Sequence, residues 1–246
     1  MSRILILDIE TRPALVYTWG MFNQSFGPSQ VVDWGGVLCF AAKWHGDADT
    51  VFHSEWRGKE RMIRAAHKLL NEADAVVGWN SARFDTRWLA AEFQRMGLSR
   101  PSPYVNVDLM RSQKRDAFML SNKLESRRLW LGEDGKAETG GFGLWKGVMD
   151  GNRESRRLME EYNRRDVEIT EEEFDRMRAG GWVRGLPNHA IEGGHVCSHC
   201  GSERLQARGE QVTKTRRYKR YQCRDCGGWS RAVACEPGSA KLVGVA

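Results

Sequence analysis

The N-terminal stretch of the chain combines an apolar run with two closely spaced acids. Residues 4–7 are all aliphatic, and Asp8 and Glu10 follow at alternate positions. So short a run predicts a buried strand rather than a helix. Side chains of a strand alternate between its faces, so Asp8 and Glu10 should point the same way. Two like charges at the end of an apolar strand are costly unless a cation lies between them, which indicates Mg²⁺ or Mn²⁺. A strand ending in two solvated acids is the alternative.

Hydrophobic periodicity predicts alternating strands and helices. We expect strands at residues 36–44, 49–53, 73–79 and 104–107, and helices at residues 59–72, 84–96 and 154–178, with short helices between residues 108 and 145. This order predicts an α/β fold with a mixed sheet flanked by helices. Residues 140–143 are interpreted as a turn. Residues 12–34 are irregular. We expect at least half of four of their aromatic residues to pack in the core, namely Tyr17, Trp19, Phe22 and Phe26.

The positive charge of the chain is confined to its C-terminal part. The formal net charge is +6, and residues 197–231 hold nine Lys and Arg against three Asp and Glu, so the remainder is neutral. This part is therefore the expected anion-binding surface. No apolar run approaches the ~18 residues of a membrane-spanning helix, and no signal-peptide pattern follows Met1. We therefore expect a soluble cytoplasmic protein without a membrane partner.

Four of the six cysteines form a paired C-x-x-C pattern, in which 22 residues separate the pairs. They are Cys197, Cys200, Cys223 and Cys226. Four thiolates at this spacing predict a closed tetrahedral Zn²⁺ site in a small zinc ribbon. His195 and His199 are less favoured substitute ligands. Cys39 and Cys235 lack partners and are expected to be buried or free thiols.

A basic segment interleaved with tyrosines lies between the two cysteine pairs. We predict that it binds nucleic acid through phosphate contacts and base stacking. The residues assigned to this role are Arg216, Arg217, Tyr218, Lys219, Arg220 and Tyr221. A solvated charged strand that protects a sheet edge is the alternative.

Two further patterns add acidic residues. Asn80 ends a predicted strand and Asp85 begins the next helix, and ligands in open α/β sheets gather at the carboxyl ends of strands. Tyr162 and Asp166 lie four residues apart in the last long helix and so share a face. Taken alone, Asp85 is better explained as an acid that favours a helix N-terminus. Taken alone, the Tyr162–Asp166 pair is better explained as part of a charged surface helix.

The ordered set formed by Asp8 and Glu10, then Asp85, then Tyr162 and Asp166 resembles the DEDD (DnaQ-like) superfamily of 3′–5′ exonucleases, in its tyrosine-containing branch. Family B DNA polymerases carry such an exonuclease domain, and some phage-encoded exonucleases look similar. The resemblance covers roughly residues 1–180 and implies a ribonuclease H-like fold. It also implies hydrolysis of DNA from single-stranded 3′ ends by a two-metal-ion mechanism, in phage or bacterial DNA replication, repair or processing.

The resemblance also implies roles for individual residues. Asp8 would bridge two Mg²⁺ or Mn²⁺ ions, and Glu10 and Asp166 would complete the ion on the side of the attacking water. Asp85 would hold the second ion, through water, and Tyr162 would orient the attacking water. The remaining residues assigned to substrate binding are Ile9, Thr11, Asn80 and Phe84.

We therefore predict an exonuclease domain over residues 1–184, a linker at 185–194, a zinc ribbon at 195–235 and a tail at 236–246. We expect a monomer that binds DNA and acts with a polymerase or another replication protein, in the host cytoplasm if a phage encodes it. One alternative is an exoribonuclease of the same chemistry, because no sequence feature indicates whether the 2′-hydroxyl that distinguishes RNA from DNA is recognised. Another is a catalytically silent protein that binds nucleic acid through its ribbon.

Overall fold

The computed structural model describes residues 3–134, 141–183, 185–186, 188, 193–238, 240 and 242. These residues form two compact units. The N-terminal unit covers residues 3–171, and the C-terminal unit begins at residue 172, within one long helix.

The N-terminal unit is built on a mixed sheet. Its strands are β1 (Ile4–Arg12), β2 (Leu15–Val16), β3 (Val31–Asp33), β4 (Gly36–Trp44), β5 (Val51–Ser54), β6 (Ala75–Gly78) and β7 (Val105–Asp108). The sheet has the order β5-β4-β1-β6-β7, while β2 and β3 pair separately. β1 runs antiparallel to β4 and parallel to β6, and β6 runs parallel to β7. The predicted α/β fold with a mixed sheet is confirmed.

Helices cover the sheet. They are α1 (Lys59–Glu72), α2 (Asp85–Arg95), α3 (Leu109–Asp116), α4 (Leu124–Trp130), α5 (Phe142–Met149) and α6 (Arg153–Ala179). α1 buries Met62, Ile63 and Ala66 in a core shared with Leu5 and Leu7 of β1. Burial of the larger of these side chains, at ~1.5–3 kcal/mol each, stabilises the packing of α1 on β1, the central strand of the sheet.

The glycine-rich segment at residues 140–143 differs from the predicted turn. Phe142 and Gly143 open α5, and Gly141 precedes them with a φ of 65°. This left-handed conformation suits glycine, which has no Cβ to clash with the backbone. Gly140 lies outside the described residues. The expectation failed because Gly141 starts the helix that follows it rather than closing a turn.

The aromatic side chains of residues 12–34 are exposed, so the expected core packing of at least half of them is wrong. Trp19 is 99% exposed and Phe22 is 80% exposed, and Tyr17 and Phe26 are also on the surface. Strand pairing holds the segment near its ends, where β2 pairs with β3. Its apolar residues lack the regular spacing that would turn one face toward the core.

The C-terminal unit contains a small antiparallel sheet of β8 (Leu205–Val212), β9 (Arg217–Cys223) and β10 (Trp229–Arg231), in the order β10-β9-β8. The paired cysteines pack beside it, as predicted for a zinc ribbon. Of the predicted linker, residues 187 and 189–192 lie outside the described residues. In the predicted tail, Glu236 donates its backbone N–H to the carbonyl of Arg217 at 2.8 Å.

Membrane-crossing segments are not found among the described helices, since each is too short or too polar to span a bilayer.

Candidate active site

The carboxyl ends of three parallel strands bring four acidic residues to one edge of the sheet, and three of them, Asp8, Glu10 and Asp85, were predicted as site residues. β1 carries Asp8 and Glu10, Asp85 follows β6, and Asp108 ends β7. A bulge shifts the pairing of β1 beyond Glu10, because Glu10 faces Cys39 but Thr11 faces Val37. Bulges are common beside functional sites, where they re-aim side chains.

Three carboxylates form a compact cluster. Asp8, Glu10 and Asp166 each offer one oxygen, and these oxygens all lie within 4.8 Å of one another. Asp166 is only 2% exposed, whereas Asp8 and Glu10 are half-buried. Like charges this close repel, and a cation held between them would offset that repulsion. Hard oxygen ligands suit Mg²⁺ or Mn²⁺.

Asp166 lies on helix α6, close to the end of β1. Ion pairs connect this helix to the rest of the N-terminal unit. Lys43 of β4 pairs with Glu171 at 2.5 Å, and both side chains are largely buried. Arg57 pairs with Glu160 at 2.6 Å. These contacts lie on either side of Asp166 along the helix.

Asn163 is a site residue that sequence reasoning missed. Its side chain is fully buried, and its Nδ2 donates to Asp8 Oδ2 at 2.7 Å and to the Asp8 carbonyl at 3.3 Å. The available signal was its place on α6, three residues before Asp166 and therefore on a nearby face. A hydrogen bond to a carboxylate is among the stronger ones. Asn163 therefore fixes one oxygen of the Asp8 carboxylate.

Asp85 lies outside that group of three carboxylates. It is buried at the start of α2, where its Oδ1 accepts the backbone N–H of Ile9 at 3.1 Å. The bond ties the start of α2 to β1. It also engages the backbone N–H of Ile9, a residue that was predicted to bind substrate.

A tight loop leads from β6 to Asp85. Gly78 begins it, since a Cβ there would lie 2.7 Å from Ser81 Cβ and 3.0 Å from the Leu7 carbonyl. Asn80 adopts a φ of 66°, a left-handed conformation that asparagine tolerates better than most residues. The loop is thereby forced to turn sharply at the sheet edge.

Asp108 holds this loop from the neighbouring strand, a role that the sequence did not reveal. Its carboxylate accepts the backbone N–H groups of Asn80 at 3.2 Å and Ala82 at 3.3 Å. It also caps α3 by accepting the Arg111 N–H at 3.0 Å. A strand-ending Asp before a helix signals a cap, but nothing local signals the two bonds to the loop.

A cleft of about 530 Å³ opens beside the cluster. Asp8, Asn80 and Tyr162 line it, together with Trp79, Met110, Asn122, Lys123, Leu124 and Glu125. Tyr162 is half-buried and packs edge-on against Trp145 at 6.2 Å between ring centroids. Ile9, Thr11 and Phe84, which were predicted to bind substrate, are not among the described residues that line this cleft.

The negative charge of the acidic cluster affects the pKa of the buried Cys39 thiol. Burial, together with the charges of Glu10 and Asp8, raises its pKa well above the usual range for a thiol. Cys39 is therefore a protonated, buried thiol, as expected from the sequence, and Cys235 is exposed.

The four cysteines of the C-terminal unit have the geometry of a zinc site. The sulfur atoms of Cys197 and Cys226 are 3.6 Å apart, and those of Cys200 and Cys223 are 3.7 Å apart. Tetrahedral Zn²⁺ with bonds of ~2.3 Å requires sulfurs about 3.75 Å apart, whereas a disulfide needs about 2.05 Å. The cluster therefore fits a zinc ion and not two disulfides.

Hydrogen bonds favour the thiolate form of Cys223, whereas burial raises the pKa of Cys197 and Cys226. The N–H of Asp225 donates to the Cys223 sulfur at 3.4 Å. Burial acts to raise the pKa of Cys223, but hydrogen bonds from the backbone of Cys226 and Asp225 bring it to about 7. His199 instead places its Nε2 3.0 Å from the Trp229 carbonyl, so this nitrogen is engaged outside the cluster.

The predicted nucleic-acid-binding residues lie in the β8–β9 hairpin. Arg216 lies in its turn, where its N–H donates to Thr213 Oγ1 at 3.1 Å. Arg217 to Tyr221 lie in β9, where arginine and lysine are exposed and the tyrosines are half-buried. Neighbouring residues in a strand point to opposite faces, so the segment does not form a single surface.

Comparisons with known proteins bear on the fold. No protein-family model and no curated protein matches this chain. Among solved structures, it is similar to the family B DNA polymerase from the hyperthermophilic archaeon Pyrobaculum calidifontis, with a TM-score of 0.51 and 18% identity. The match covers 90% of this chain and 33% of the polymerase chain, so this chain spans about a third of that protein. At this identity the likeness concerns the fold alone.

Proposed function

We propose that this protein is a metal-dependent 3′–5′ exonuclease that hydrolyses single-stranded DNA ends. The observation that carries the proposal is the group of Asp8, Glu10 and Asp166, whose oxygens lie within 4.8 Å of one another. Tyr162 lines the adjoining cleft with Asp8. Clustered carboxylates of this kind could hold the metal ions of a two-metal-ion phosphodiester hydrolysis.

The chain's own residues would hold the reacting groups. Asn163 fixes the Asp8 carboxylate, and Asp85 ties α2 to β1 through the Ile9 N–H. A phenol is a weak base near neutral pH, so Tyr162 would orient the attacking water rather than deprotonate it. Two Mg²⁺ or Mn²⁺ ions, when bound to the carboxylates, would supply a metal-activated hydroxide and stabilise the leaving oxygen.

The cleft has features that suit a chain end. Lys123 lies at its wall and can neutralise a phosphate, while Asn80 and Asn122 supply amide groups beside Asp8. Trp79 is fixed there by donating its Nε1 to the Asn122 carbonyl at 2.9 Å. The cleft volume of about 530 Å³ is in the range of small-ligand sites, which suits one or two nucleotides rather than a duplex.

DNA is the preferred substrate in this proposal because the fold resembles that of a DNA polymerase. An exoribonuclease would use the same residues. The C-terminal unit, which carries the excess of positive charge, would add phosphate contacts.

The test is digestion of matched DNA and RNA oligonucleotides whose 3′ or 5′ end is blocked, with Mn²⁺ or Mg²⁺ present or absent. The proposal expects mononucleotides from DNA with a free 3′ end, and none when the 3′ end is blocked. Faster release from RNA would transfer the activity to that substrate. Release from 3′-blocked DNA, or none from any substrate with either metal, would contradict the proposal.

A further inference from the structure

One face of the C-terminal sheet carries a cluster of aromatic rings and guanidinium groups. Arg220 of β9 lies directly opposite Arg231 of β10, and Trp229 lies opposite Gln222. Because side chains alternate along a strand, Tyr218, Arg220, Trp229 and Arg231 emerge on the same face. We call these four residues the stacking face.

Each guanidinium on this face lies over an aromatic ring of the neighbouring strand. The guanidinium carbon of Arg220 is 4.7 Å from the centre of the Trp229 ring. That of Arg231 is 3.9 Å from the centre of the Tyr218 ring. Hydrogen bonding from Arg231 also lowers the pKa of the Tyr218 phenol. Both pairs are diagonal neighbours across the strands, which long side chains can bridge.

The charge of this face is not neutralised among the described residues. Elsewhere in the same unit, Arg217 pairs with Glu210 at 3.4 Å and Arg204 with Asp225 at 2.6 Å. Within the described part of the chain, neither Arg220 nor Arg231 has a carboxylate partner. Like charges directly opposite in a sheet are unfavourable, so the two arginines would gain from an anion placed between them.

A bulge in β8 holds one half of the face in position. The pairing of β8 with β9 shifts between Ala207 and Glu210, and Gly209 adopts a φ of 67°. The carbonyl of Arg208 there accepts the Nε–H of Arg220 at 3.0 Å. The Arg220 head group is therefore set over Trp229 before any ligand arrives, so little side-chain freedom is lost on binding.

We propose that the stacking face binds single-stranded nucleic acid by stacking bases on its rings and guanidinium planes. This deepens and rests on the proposed function, since it assigns the C-terminal unit a way to hold the strand being degraded. Unpaired bases stack on aromatic side chains and arginine planes whatever their sequence. The flanking arginine charges match the phosphates. Trp229 is 43% exposed, and both arginines are exposed.

The opposite face is less suited to stacking. Tyr221 points there and meets the edge of His195, with ring centroids 4.6 Å apart. Arg217 on that face is ion-paired to Glu210. The contiguous basic segment predicted from the sequence is thereby divided, and Trp229 and Arg231, which lie beyond it, join the binding surface.

The test is equilibrium binding of a fluorescent single-stranded oligonucleotide to full-length protein that carries Asp8→Asn, so that no cleavage occurs. Trp229→Ala should weaken binding by about 10-fold and leave the dependence on salt unchanged, because no charge is lost. Trp229→Phe should restore most of the affinity. Trp182→Ala removes another exposed tryptophan of the same unit and should change affinity by less than about 2-fold.

An abasic oligonucleotide of the same length separates stacking from phosphate contact. Protein with an intact stacking face should bind the abasic strand more weakly than the base-containing strand. The Trp229→Ala substitution should not weaken binding of the abasic strand further. Arg220→Lys, which keeps the charge but loses the plane, should weaken only the base-containing strand, and Arg224→Lys is its control. DNA and RNA arms should respond alike, because stacking does not involve the 2′-hydroxyl.

Two outcomes would overturn the proposal. One is unchanged affinity of Trp229→Ala and Tyr218→Leu proteins that retain zinc. The other is a Trp229→Ala substitution that lowers the affinity for abasic and base-containing strands equally. The result is separate from the exonuclease proposal, because binding is measured without catalysis. An inactive enzyme would leave the binding data standing, and a failed stacking face would leave hydrolysis of short substrates unaffected.

Discussion

Replacing Asn163 by leucine tests the contact that fixes Asp8. The substitution keeps the side chain about the same size but removes the amide that donates to Asp8 Oδ2 at 2.7 Å. A hydrogen bond to a charged group contributes about 1.5–3 kcal/mol. In the metal-free protein, we expect the free energy of unfolding to fall by no more than that amount. Asp8 loses the Asn163 donor, but leucine also removes the Asn163 Oδ1 atom, which is buried without a hydrogen-bond partner among the described residues.

The larger effect should be on metal use. Removing a group that orients a metal ligand typically costs about 10–100-fold in metal affinity or activity. Single-turnover cleavage measured across a Mn²⁺ series should therefore show a higher half-saturating concentration for Asn163→Leu. High Mn²⁺ should recover part of the rate, which a generally damaged fold would not allow.

Asn71→Leu is the matched control, since its amide contacts His67 and Ser102 and not the acidic cluster. It should lose some stability but keep the Mn²⁺ dependence of the unaltered protein. If Asn163→Leu cleaves at the unaltered rate with the same Mn²⁺ dependence, Asn163 does not position Asp8 for catalysis.

Three further predictions concern Tyr162, Asp108 and the four cysteines. Tyr162→Phe should slow single-turnover cleavage less than Asp166→Ala, because phenylalanine removes one hydrogen bond whereas alanine removes a carboxylate of the cluster; equal losses would assign Tyr162 a different role. Asp108→Ala should lower the free energy of unfolding by about 2 kcal/mol, since it frees a helix cap and two loop N–H groups; a urea titration that shows no change would contradict this. Removing zinc with a chelator should abolish the protection of the β8–β10 amides from hydrogen exchange, while the amides of β1 and β6 stay protected. The reason is that the small sheet buries few aliphatic side chains beyond its cysteines. Loss of protection in both units together would refute the separate role of the metal.

The sequence was sufficient where a local rule fixed the outcome. Alternation placed Asp8 and Glu10 on one face of a strand, and apolar spacing gave α1 its observed bounds. The paired cysteines predicted a tetrahedral sulfur cluster that the sulfur distances fit. No local rule places Asp166 near Asp8, since 158 residues separate them; only the resemblance carried by the order of the acidic motifs implied it, and the two carboxylates do lie close together.

The sequence was insufficient where the outcome depended on which segments meet. Asn163 contacts Asp8 across 155 residues, and Asp108 holds Asn80 across 28. Neither bond has a local pattern, because an Asn in a helix or an Asp at a strand end fits many surroundings. Trp229 and Arg231 were missed for the same reason, since only strand pairing brings them beside Arg220 and Tyr218.

The most direct test of the account is the rate at which Asp8→Asn protein releases mononucleotides from a 3′-labelled single strand in Mn²⁺. Asparagine keeps the shape of Asp8 but removes its charge from the cluster. We expect a loss of at least about 1,000-fold in a folded protein, since a central metal ligand is lost. Asp47→Asn, an exposed change in the turn after β4, should retain full activity. Near-normal cleavage by folded Asp8→Asn protein would contradict the assignment of this cluster as the catalytic centre.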